Sequence, residues 1–486
     1  MNPIIRTARW GRAVRWATIT CLVIVGSGSA TAHGAPTQTP PRPAFSTTPQ
    51  LAPGFQWGVH DYAIRCDGSP VKVNVTTPGD WLGKVGSAGF HQADFVAQRS
   101  LMPDRAFTVT FHRPGHRYLR FHVRCLPFDF PEYNFTRTGA GGPSFFIVEM
   151  TDHYATIFDR HGVPVWWYKA TGEPDNAELL SDGTLAWAPV DEIFFQLGDY
   201  EIRNLNGELV RVVKAAGGIT PDIHELQLLS NGNYLLAAQV QKSHIDTSQF
   251  GGSSDATVTG FEIQEVTPGG KLVWKWDSLK HIGLDQTPTS WWNQALGRPQ
   301  PYDIQHWNSV ESDGKFLLLS FRHLDAVYEI NRRTGGIVWK LGGTPTPKSL
   351  KVLNDPEGTY PLAGAHDARR LPDGTITIHD NFTGLNKPPR AVRYRIDPQA
   401  GTARLVQSIS DPDAAASICC GSARRLPSGD WLVGWGGIPF VGAYDAAGQR
   451  LFKLDMPGGF SYRAFPVPPH ALGAARLRQA MNVMSP

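Results

Sequence analysis

Three histidines occur at the same position of a repeated sequence pattern. Five turns that end in Asp-Gly, Asn-Gly or Ser-Gly punctuate the chain, and in three of them a histidine precedes the glycine by eight residues: His224, His306 and His366. In the other two repeats this position holds Asp175 and Gly421. Because equivalent positions of repeats occupy equivalent places in a repeat fold, we expect three imidazoles at one height around a common axis.

An arginine and an amide are predicted to join these histidines. Arg322 follows Gly314 by eight residues, as His306 precedes it by eight, so the two should lie opposite each other in a hairpin. Asn308, two residues beyond His306, should face the same side of its strand. His306, Asn308 and Arg322 are therefore predicted to form one cluster. Imidazoles, an amide and a guanidinium fork suit a tetrahedral oxyanion such as sulfate or phosphate.

Other chemistries fit this set of residues less well. No pair of carboxylates stands at the repeated position, which disfavours acid–base chemistry of the glycosidase type. Zinc would require the histidines to converge to about 2.1 Å from one point, and the cation of Arg322 would repel it, so we expect no bound metal. Tryptophans could add flat aromatic surfaces, and we expect one or two of these six to contact a ligand: Trp167, Trp187, Trp291, Trp292, Trp307 and Trp435.

The elements that position these residues are predicted to be short strands. The chain has 50 Gly, 38 Pro and only 18% charged residues, a composition typical of strands joined by turns. A second turn signature, a glycine followed by an apolar pair, alternates with the first at Gly162, Gly207, Gly270, Gly336 and Gly448, with a weaker copy at Gly401. We therefore predict an all-β protein: a six-bladed β-propeller over residues 140–472, preceded by a small β-sandwich domain over 55–139. The segment 143–149 is expected to pair with the last strand.

The two ends of the chain carry other signals. Residues 1–32 contain four arginines, a short apolar run and small residues, an order that predicts a secretory signal peptide. An uncleaved membrane anchor is the alternative. We expect an exported protein, whether periplasmic, at the cell surface or secreted. Residues 33–54, rich in Pro and Thr, are predicted to be a linker and 473–486 a C-terminal tail.

Charge and cysteines limit the possibilities further. Removal of residues 1–32 takes four basic and no acidic residues, so the formal net charge of +3 becomes −1 and nucleic-acid binding is not expected. Cys66 and Cys125 lie in strand-like runs of the N-terminal region and could form a disulfide in an oxidising compartment. Cys419 and Cys420 are either two thiols, the alternative we favour, or a vicinal disulfide.

Several motifs together resemble a known family. They are Asp222-Ile223-His224-Glu225, Gln305-His306-Trp307-Asn308-Ser309, Leu319-Ser320-Phe321-Arg322, Gly335-Gly336-Ile337-Val338-Trp339, His366-Asp367-Ala368-Arg369-Arg370 and Asp380-Asn381. In type and order they are similar to the bacterial arylsulfate sulfotransferase family, over about residues 145–455. The N-terminal region is instead similar to the leading domain of a divergent branch. The insert at 278–301 has no counterpart that we can place.

The resemblance implies a sulfotransferase without a cofactor. Such enzymes move a sulfuryl group from a phenolic sulfate ester to a phenolic acceptor through a sulfohistidine, independently of nucleotide sulfate. Matching motifs make His366 the nucleophile, while His224, His306, Asn308 and Arg322 would bind the sulfuryl oxygens or assist proton transfer. The alternative is a non-catalytic propeller that binds anionic or sulfated ligands at the cell surface. A quinone-dependent dehydrogenase is suggested only by the segment 334–339.

Overall fold

Most of the regular secondary structure of the described residues is β-strand. The computed structural model describes residues 41–191, 196–459 and 461–485. Strands account for 46% of the residues and helices for 7%, so the all-β prediction is confirmed. The predicted signal peptide or anchor and the start of the predicted linker lie outside the described residues. Within the described ranges, no helix is both long and apolar enough to span a membrane.

The N-terminal region contains two sheets. Its strands are β1 (Ala44–Thr48), β2 (Asp61–Arg65), β3 (Val71–Thr76), β4 (Leu82–Val85), β5 (Phe95–Arg99), β6 (Ala106–His112), β7 (Leu119–Leu126) and β8 (Asn134–Arg137). One sheet has the order β1-β3-β5 and the other β2-β7-β6-β4. Alternate residues of β3 and β6 are buried in one shared apolar cluster. The predicted disulfide between Cys66 and Cys125 is present and joins the end of β2 to β7.

Two features of this region differ from the predicted boundaries. The interval 33–54, predicted as a linker, contains β1, because Phe45 and Thr47 point alternately into the core beneath β3. Strand β8, counted with the sandwich, pairs instead with β34 (Arg450–Asp455) of the last sheet. Backbone hydrogen bonds to β34 satisfy this short strand, which local sequence alone does not reveal.

Six further sheets follow one another along the described residues. Their strands are β9 (Phe145–Met150), β10 (Tyr154–Asp159), β11 (Pro164–Lys169); β12 (Glu173–Leu179), β13 (Leu185–Asp191), β14 (Gln196–Leu197), β15 (Tyr200–Arg203), β16 (Leu209–Val213); β17 (Pro221–Leu228), β18 (Tyr234–Ile245), β19 (Ala256–Val266), β20 (Leu272–Asp277), β21 (Tyr302–Asp303); β22 (Trp307–Ser312), β23 (Phe316–Phe321), β24 (Ala326–Asn331), β25 (Ile337–Gly342); β26 (Lys351–Leu353), β27 (His366–Arg370), β28 (Thr375–Asp380), β29 (Arg390–Asp397), β30 (Thr402–Ile409); β31 (Ser422–Arg425), β32 (Trp431–Gly434), β33 (Phe440–Tyr444), β34; and β35 (Ala464–Pro466).

Each of these sheets is built around an antiparallel meander, numbered here sheets 1 to 6 in chain order. The orders are β11-β10-β9-β35, β12-β13-β15-β16, β17-β18-β19-β20, β22-β23-β24-β25, β26-β30-β29-β28-β27 and β31-β32-β33-β34-β8. Strand β14 adds to β13, and β21 runs parallel to β19. The expected pairing of the segment 143–149 with the last strand is present as β9 with β35.

The glycine turns occur where the repeat predicted them. Glycines of the first signature have φ between 78° and 96° and end the first hairpin of sheets 2 to 6; they are Gly183, Gly232, Gly314, Gly374 and Gly429. Glycine adopts this left-handed region without the steric cost that a Cβ would impose. The second signature marks the hairpin between the last two strands of a meander in all six sheets.

The strands that begin the meanders of neighbouring sheets contact one another. Strand β12 contacts β9 and β17, β17 contacts β22, β22 contacts β27, β27 contacts β31, and β31 contacts β35 of sheet 1. This succession therefore returns to the sheet where it began. Residues at one level of these strands are consequently neighbours although they are far apart in sequence.

In the described part of the chain, helices are few and lie outside the sheets. The insert at 278–301 forms α1 (Ser278–His281), a 3₁₀ turn (Leu284–Gln286) and α2 (Thr289–Leu296); further 3₁₀ turns span Ser248–Phe250 and Arg322–Leu324. The segment predicted as a C-terminal tail forms α3 (Ala474–Met484). Leu477 and Met481 of α3 are buried in the same cluster as Trp167 of β11, and this apolar face holds the helix on sheet 1.

Candidate functional site

Two of the predicted histidines face each other. His224 lies on β17 and His306 directly precedes β22, so neighbouring sheets supply them. Their ring centroids are 5.2 Å apart and the ring planes are nearly perpendicular, at 80°. The structure thus brings together two residues that the repeat placed at equivalent positions.

Each of these histidines has a carboxylate partner on Nδ1. The Oδ1 atom of Asp222 lies 2.5 Å from Nδ1 of His224, and Oδ2 of Asp303 lies 2.5 Å from Nδ1 of His306. Burial acts to raise the pKa of Asp222, but His224 and the hydrogen bond from Gln239 together lower that pKa overall. A carboxylate at Nδ1 leaves Nε2 to accept or give a proton and stabilises the imidazolium form.

Arg322 is held beside His306 by both backbone and side-chain contacts. Its backbone N–H donates to the carbonyl of His306 at 2.8 Å, as the predicted hairpin requires. Its guanidinium lies over the ring of Trp291 at 4.6 Å. Nη1 donates to Nε2 of His323 and Nη2 to the carbonyl of Ile418, both at 2.7 Å. The Nε atom is buried without a hydrogen-bond partner in the described part of the chain. This donor therefore has no acceptor of its own among the described residues.

His366 is the first residue of β27 and is almost fully buried, with 1% of its surface exposed. Its Nδ1 atom lies 2.8 Å from both the carbonyl of Gly364 and Oδ1 of Asn381. Both partners are acceptors, so Nδ1 carries the proton and Nε2 carries the lone pair. Burial, followed by the charge of Arg322, holds the pKa of His366 well below 6.5. The ring is therefore neutral at pH 7.

The lone pair of His366 is not free in this structure. The backbone N–H of Cys420 donates to Nε2 at 3.1 Å. The segment 417–421 thus covers the imidazole. Arg322 and His306 both act to lower the pKa of His366.

Asn308 takes a different position from the one predicted. The register of β22 with β23 shifts between Trp307 and Ser309, so Asn308 occupies a bulge. Its Nδ2 donates to the carbonyl of Ala365 at 2.8 Å and its Oδ1 accepts from the N–H of Asp367 at 3.3 Å. Both groups of this fully buried amide therefore connect β22 to β27. The bulge re-aims the side chain, which strict alternation along the strand does not anticipate.

Such irregularities recur at the same level of the fold. The strands that begin the meanders of sheets 2, 3, 4 and 5 all shift register near the repeated position, within β12, β17, β22 and β27. Bulges concentrate next to active sites, where they redirect side chains and expose backbone groups. The repeated position is thus a common site of local distortion.

A cavity of about 320 Å³ opens beside the histidines. Its lining includes His306, Arg322, His323 and Cys419. The insert at 278–301 also lines it, with residues that include Ala295, Arg298 and Pro301. The insert for which the sequence offered no role therefore shapes this cavity.

Of the six tryptophans considered, Trp291 has the closest connection with the site. It stacks on His323 with ring centroids 4.2 Å apart, beneath the guanidinium of Arg322. Its Nε1 donates to Oδ1 of Asp325 at 2.9 Å, which fixes the ring. Four of the others are at most 1% exposed and pack the interior: Trp187, Trp292, Trp307 and Trp435.

Three side chains could in principle hold a metal ion. Asp303, His306 and His323 present ligand atoms that lie within 4.8 Å of one another. However, Arg322 donates to Nε2 of His323, and Asp303 accepts from Nδ1 of His306. A metal would have to displace these bonds beside a guanidinium cation. The donor set therefore suits an anion better than a metal cation.

One buried arginine holds the site strands together. Arg463, just before β35, is fully buried, and its Nη1 donates to Oδ1 of Asn176 and to the carbonyl of His224, both at 2.9 Å. Its Nη2 donates to the carbonyl of Asn308 at 2.6 Å. It also pairs with Glu225 at 3.1 Å. A single guanidinium thus connects the strands that carry His224 and Asn308.

Sequence reasoning missed most of these supporting residues. Asp222 and Asp303 precede their histidines by two and three residues, a spacing that could have indicated the pairs. No comparable local signal identifies Arg463 or Cys420, which reach the site from 239 and 54 residues away. Contacts of that length depend on the tertiary arrangement of the sheets.

Comparison with known proteins assigns the family. The model of the arylsulfotransferase (ASST) family matches residues 177–456, more than half of the chain. The chain belongs to this family, and sulfotransferase activity is what membership implies at the family level. A search of curated proteins found no match.

Solved structures resemble the chain only distantly. A Bacteroides caccae protein of unknown function is 14% identical, with a TM-score of 0.42, and the match covers 67% of this chain and 99% of that one. Virginiamycin B lyase from Staphylococcus aureus is 11% identical at a TM-score of 0.33, with 85% and 99% covered. The β-propeller domain of Myceliophteria thermophila Cps50 (Swd1) is 11% identical at a TM-score of 0.35, with 69% and 90% covered.

Proposed function

We propose that this protein transfers a sulfuryl group from a phenolic sulfate ester to a phenolic acceptor through a sulfohistidine at His366. One observation carries the proposal: two acceptors hold the proton on Nδ1 of His366, so Nε2 is a neutral nucleophile beside Arg322. A neutral imidazole needs no prior deprotonation. Its covalent intermediate divides the transfer into two easier steps.

In the first step, Nε2 of His366 attacks the sulfur, an N–S bond forms and the bond from sulfur to the phenolic oxygen breaks. The departing phenolate takes the electron pair and is protonated by Nε2 of His224 or His306, whose Nδ1 atoms face carboxylates. Negative charge spreads over the sulfuryl oxygens, as in loose phosphoryl transfer. The guanidinium of Arg322 stabilises that charge.

In the second step, the phenolic acceptor replaces the departed phenol. The histidine that protonated the first phenolate, His224 or His306, removes the proton of the acceptor. The phenolic oxygen of the acceptor attacks the sulfur, and the N–S bond of the sulfohistidine breaks. The sulfuryl group leaves on the acceptor and His366 returns to its neutral form. No cofactor is needed, because the group transferred comes entirely from the donor ester.

Turnover requires the cover over His366 to move. With 1% of the side chain exposed and Nε2 engaged by Cys420, the sulfur of a substrate cannot reach the lone pair directly. The segment 417–421 must move away from Nε2 of His366 before a sulfuryl group can reach it. In this proposal Asn308 acts through the backbone of β27, and its buried amide makes no direct contact with substrate.

The architecture proposed for this function is a six-bladed β-propeller behind a small β-sandwich. The six meanders, the succession of contacts from β9 through β31 to β35 and the pairing of β9 with β35 support this arrangement. The two N-terminal sheets share one apolar cluster, which supports the sandwich. We also propose that the protein is exported, since its N-terminal sequence has the order of a signal peptide.

The decisive experiment follows release of 4-nitrophenol from 4-nitrophenyl sulfate, with and without added phenol. Wild type, His366→Ala and a matched control, His244→Ala, are compared, because the His244 side chain is 87% exposed. We expect acceptor-dependent release and a sulfuryl adduct on the peptide that contains His366 in wild type and control. Both should be lost in His366→Ala. Absence of release and adduct over a broad panel of donors would instead indicate a protein that binds anionic ligands without turnover.

A further inference from the structure

Two adjacent thiols lie at the candidate site and take no part in the proposed transfer. Cys419 and Cys420 are both free, so the favoured sequence alternative of two thiols agrees with the structure. Cys419 is partly exposed and lines the cavity together with His306 and Arg322. Cys420 is buried behind it. One thiol therefore faces the cavity, and the other faces its neighbour.

The surroundings of the two thiols are unequal. The thiol of Cys420 donates a hydrogen bond to the sulfur of Cys419, and this bond, opposed by burial and assisted by the cation of Arg322, lowers the pKa of Cys419 to about 7. Burial, together with the same hydrogen bond, raises the pKa of Cys420 well above 9. Cys419 is thus a thiolate in a substantial fraction of molecules at neutral pH, whereas Cys420 keeps its proton.

Several charged or titratable groups surround this sulfur. The insert contributes Arg298, the 3₁₀ turn contributes Arg322 and His323, β21 contributes Asp303, the loop before β22 contributes His306, and β17 contributes His224. Cations and imidazoles outnumber the single carboxylate. An anionic reagent is therefore drawn to the cavity as well as to the thiolate.

We propose that Cys419 is a thiol modification site that exchanges with low-molecular-weight disulfides, with Cys420 as the resolving thiol. The thiolate of Cys419 attacks one sulfur of the disulfide, forms a mixed disulfide and releases the other half as a thiolate. Cys420 then loses its proton and attacks the sulfur of Cys419. A vicinal disulfide forms and the second half leaves. The external disulfide is the oxidant, and it gains the two electrons that the two thiols lose.

Such modification would act directly on the predicted nucleophile. The backbone N–H of Cys420 donates a hydrogen bond to Nε2 of His366. The carbonyl of Cys420 accepts a hydrogen bond from Nδ2 of Asn381 at 3.0 Å. Asn381 in turn accepts from Nδ1 of His366. A group attached to Cys419 occupies the cavity, and ring closure with Cys420 constrains the same peptide that covers His366. The two thiols thus couple the redox state of this segment to access to the imidazole.

The other cysteines of the chain can be kept from contributing to the measured reaction. Cys66 and Cys125 form a disulfide and are at most 6% exposed. Cys21 lies outside the described residues, so the reactions are best carried out on the full chain with Cys21→Ser. Mild reduction that leaves the Cys66–Cys125 disulfide intact, verified by peptide mapping, prepares the two free thiols.

The test uses 5,5′-dithiobis(2-nitrobenzoate) as the disulfide and counts the aryl thiolate released. We expect two equivalents and no retained label from the parent protein. Cys420→Ser should release one equivalent and retain one label on the peptide 405–424. Cys419→Ser should react at least tenfold more slowly, because Cys420 is buried. The rate for Cys419 should rise with pH and reach half of its maximum near pH 7.

Each remaining outcome contradicts part of the proposal. Equal rates in Cys419→Ser and the parent, or a half-maximal rate near pH 9, would overturn the reactive role of Cys419. One equivalent released with the label retained in the parent would overturn the resolving role of Cys420. Circular dichroism checks the fold, and Cys420→Ala replaces Cys420→Ser if the serine variant is unfolded. Because no sulfuryl donor is involved, these results are independent of the proposed transferase activity.

Discussion

The backbone N–H of Cys420 donates to Nε2 of His366 at 3.1 Å across 54 residues of sequence. This contact occupies the lone pair that the family resemblance assigns to nucleophilic attack. Cys420 also has φ of 65°, in the left-handed region that few residues other than glycine adopt. The covering segment is therefore held in a costly conformation directly over the group that it must uncover.

Loosening this cover should expose His366. In Ser417→Ala, the bond from Nδ2 of Asn381 to Ser417 Oγ (2.6 Å) and the bond from Ser417 Oγ to the carbonyl of Cys419 (3.1 Å) are both lost. Two such bonds stabilise the closed segment by roughly 1–2 kcal/mol, so the open population should rise about tenfold. We expect diethyl pyrocarbonate to modify His366 about ten times faster, measured by peptide mapping. Ser428→Ala, on an exposed turn, serves as the control, and equal rates in both variants would contradict the idea of a cover.

The carboxylate of Asp222, which faces Nδ1 of His224, should contribute most to kcat when the leaving group is poor. Asp222→Asn removes the charge that stabilises a protonated His224, whose Nδ1 faces Asp222 at 2.5 Å. We expect kcat for a phenyl sulfate with a basic leaving group to fall about a hundredfold, the lower end of general acid contributions. The fall should be smaller for 4-nitrophenyl sulfate, because its phenolate leaves with little proton donation.

The matched control for that prediction is Asp255→Asn. Asp255 also pairs with a histidine, His244, at 2.9 Å, but that pair is exposed on the surface. Its kcat should equal that of wild type for both substrates. A loss in Asp222→Asn that does not depend on the leaving group would argue against His224 as the proton donor.

Removal of the buried guanidinium at Arg463 should destabilise the fold. Arg463→Met leaves the carbonyls of His224 and Asn308 without a donor and removes one cation from Glu225. Breaking a buried charge network of this kind costs about 3–5 kcal/mol, which urea unfolding can measure. The exposed Arg333→Met should change the free energy of unfolding by no more than about 0.5 kcal/mol. A loss below about 1 kcal/mol in Arg463→Met would show that the neighbouring strands do not depend on this residue.

Stability should fall in mild acid because of a buried histidine. His379 is fully buried, neither ring nitrogen has a partner among the described residues, and burial lowers its pKa to about 4. Between pH 4 and 6.5 the unfolded chain therefore binds a proton that the folded protein does not, so stability rises with pH over this interval. From pH 7.5 to pH 5 this residue alone should remove about 2 kcal/mol from the free energy of unfolding.

Substitution of this histidine isolates its contribution. His379→Leu should reduce the loss between pH 7.5 and pH 5 by about 2 kcal/mol, measured as the difference between two urea titrations. In His244→Gln the pH dependence should stay at its wild-type value, because the His244 side chain is 87% exposed. An unchanged pH dependence in His379→Leu would mean that the pKa of His379 is not lowered in the folded protein.

The repeat could be recognised from the sequence because the residues that mark it lie within single hairpins. Turn glycines such as Gly232 and Gly314 adopt positive φ and can be recognised from sequence. The strands of each hairpin are short, so positions can be counted outward from its turn. Counting from these turns was sufficient to bring His224 beside His306 and Arg322 opposite His306. The same counting failed for Asn308, because a bulge in β22 interrupts the alternation of side chains.

By itself, the sequence determined the all-β class, the order of the hairpins and the residue types available for oxyanion chemistry, since each depends on turn residues and on spacing within one hairpin. Only the tertiary structure decided that Cys420 covers His366, that Arg463 bonds the strand of His224, that β8 joins the last sheet and that the insert lines the cavity. These contacts join residues up to hundreds of positions apart. Their geometry is determined by how the sheets pack, a property that no short stretch of sequence contains.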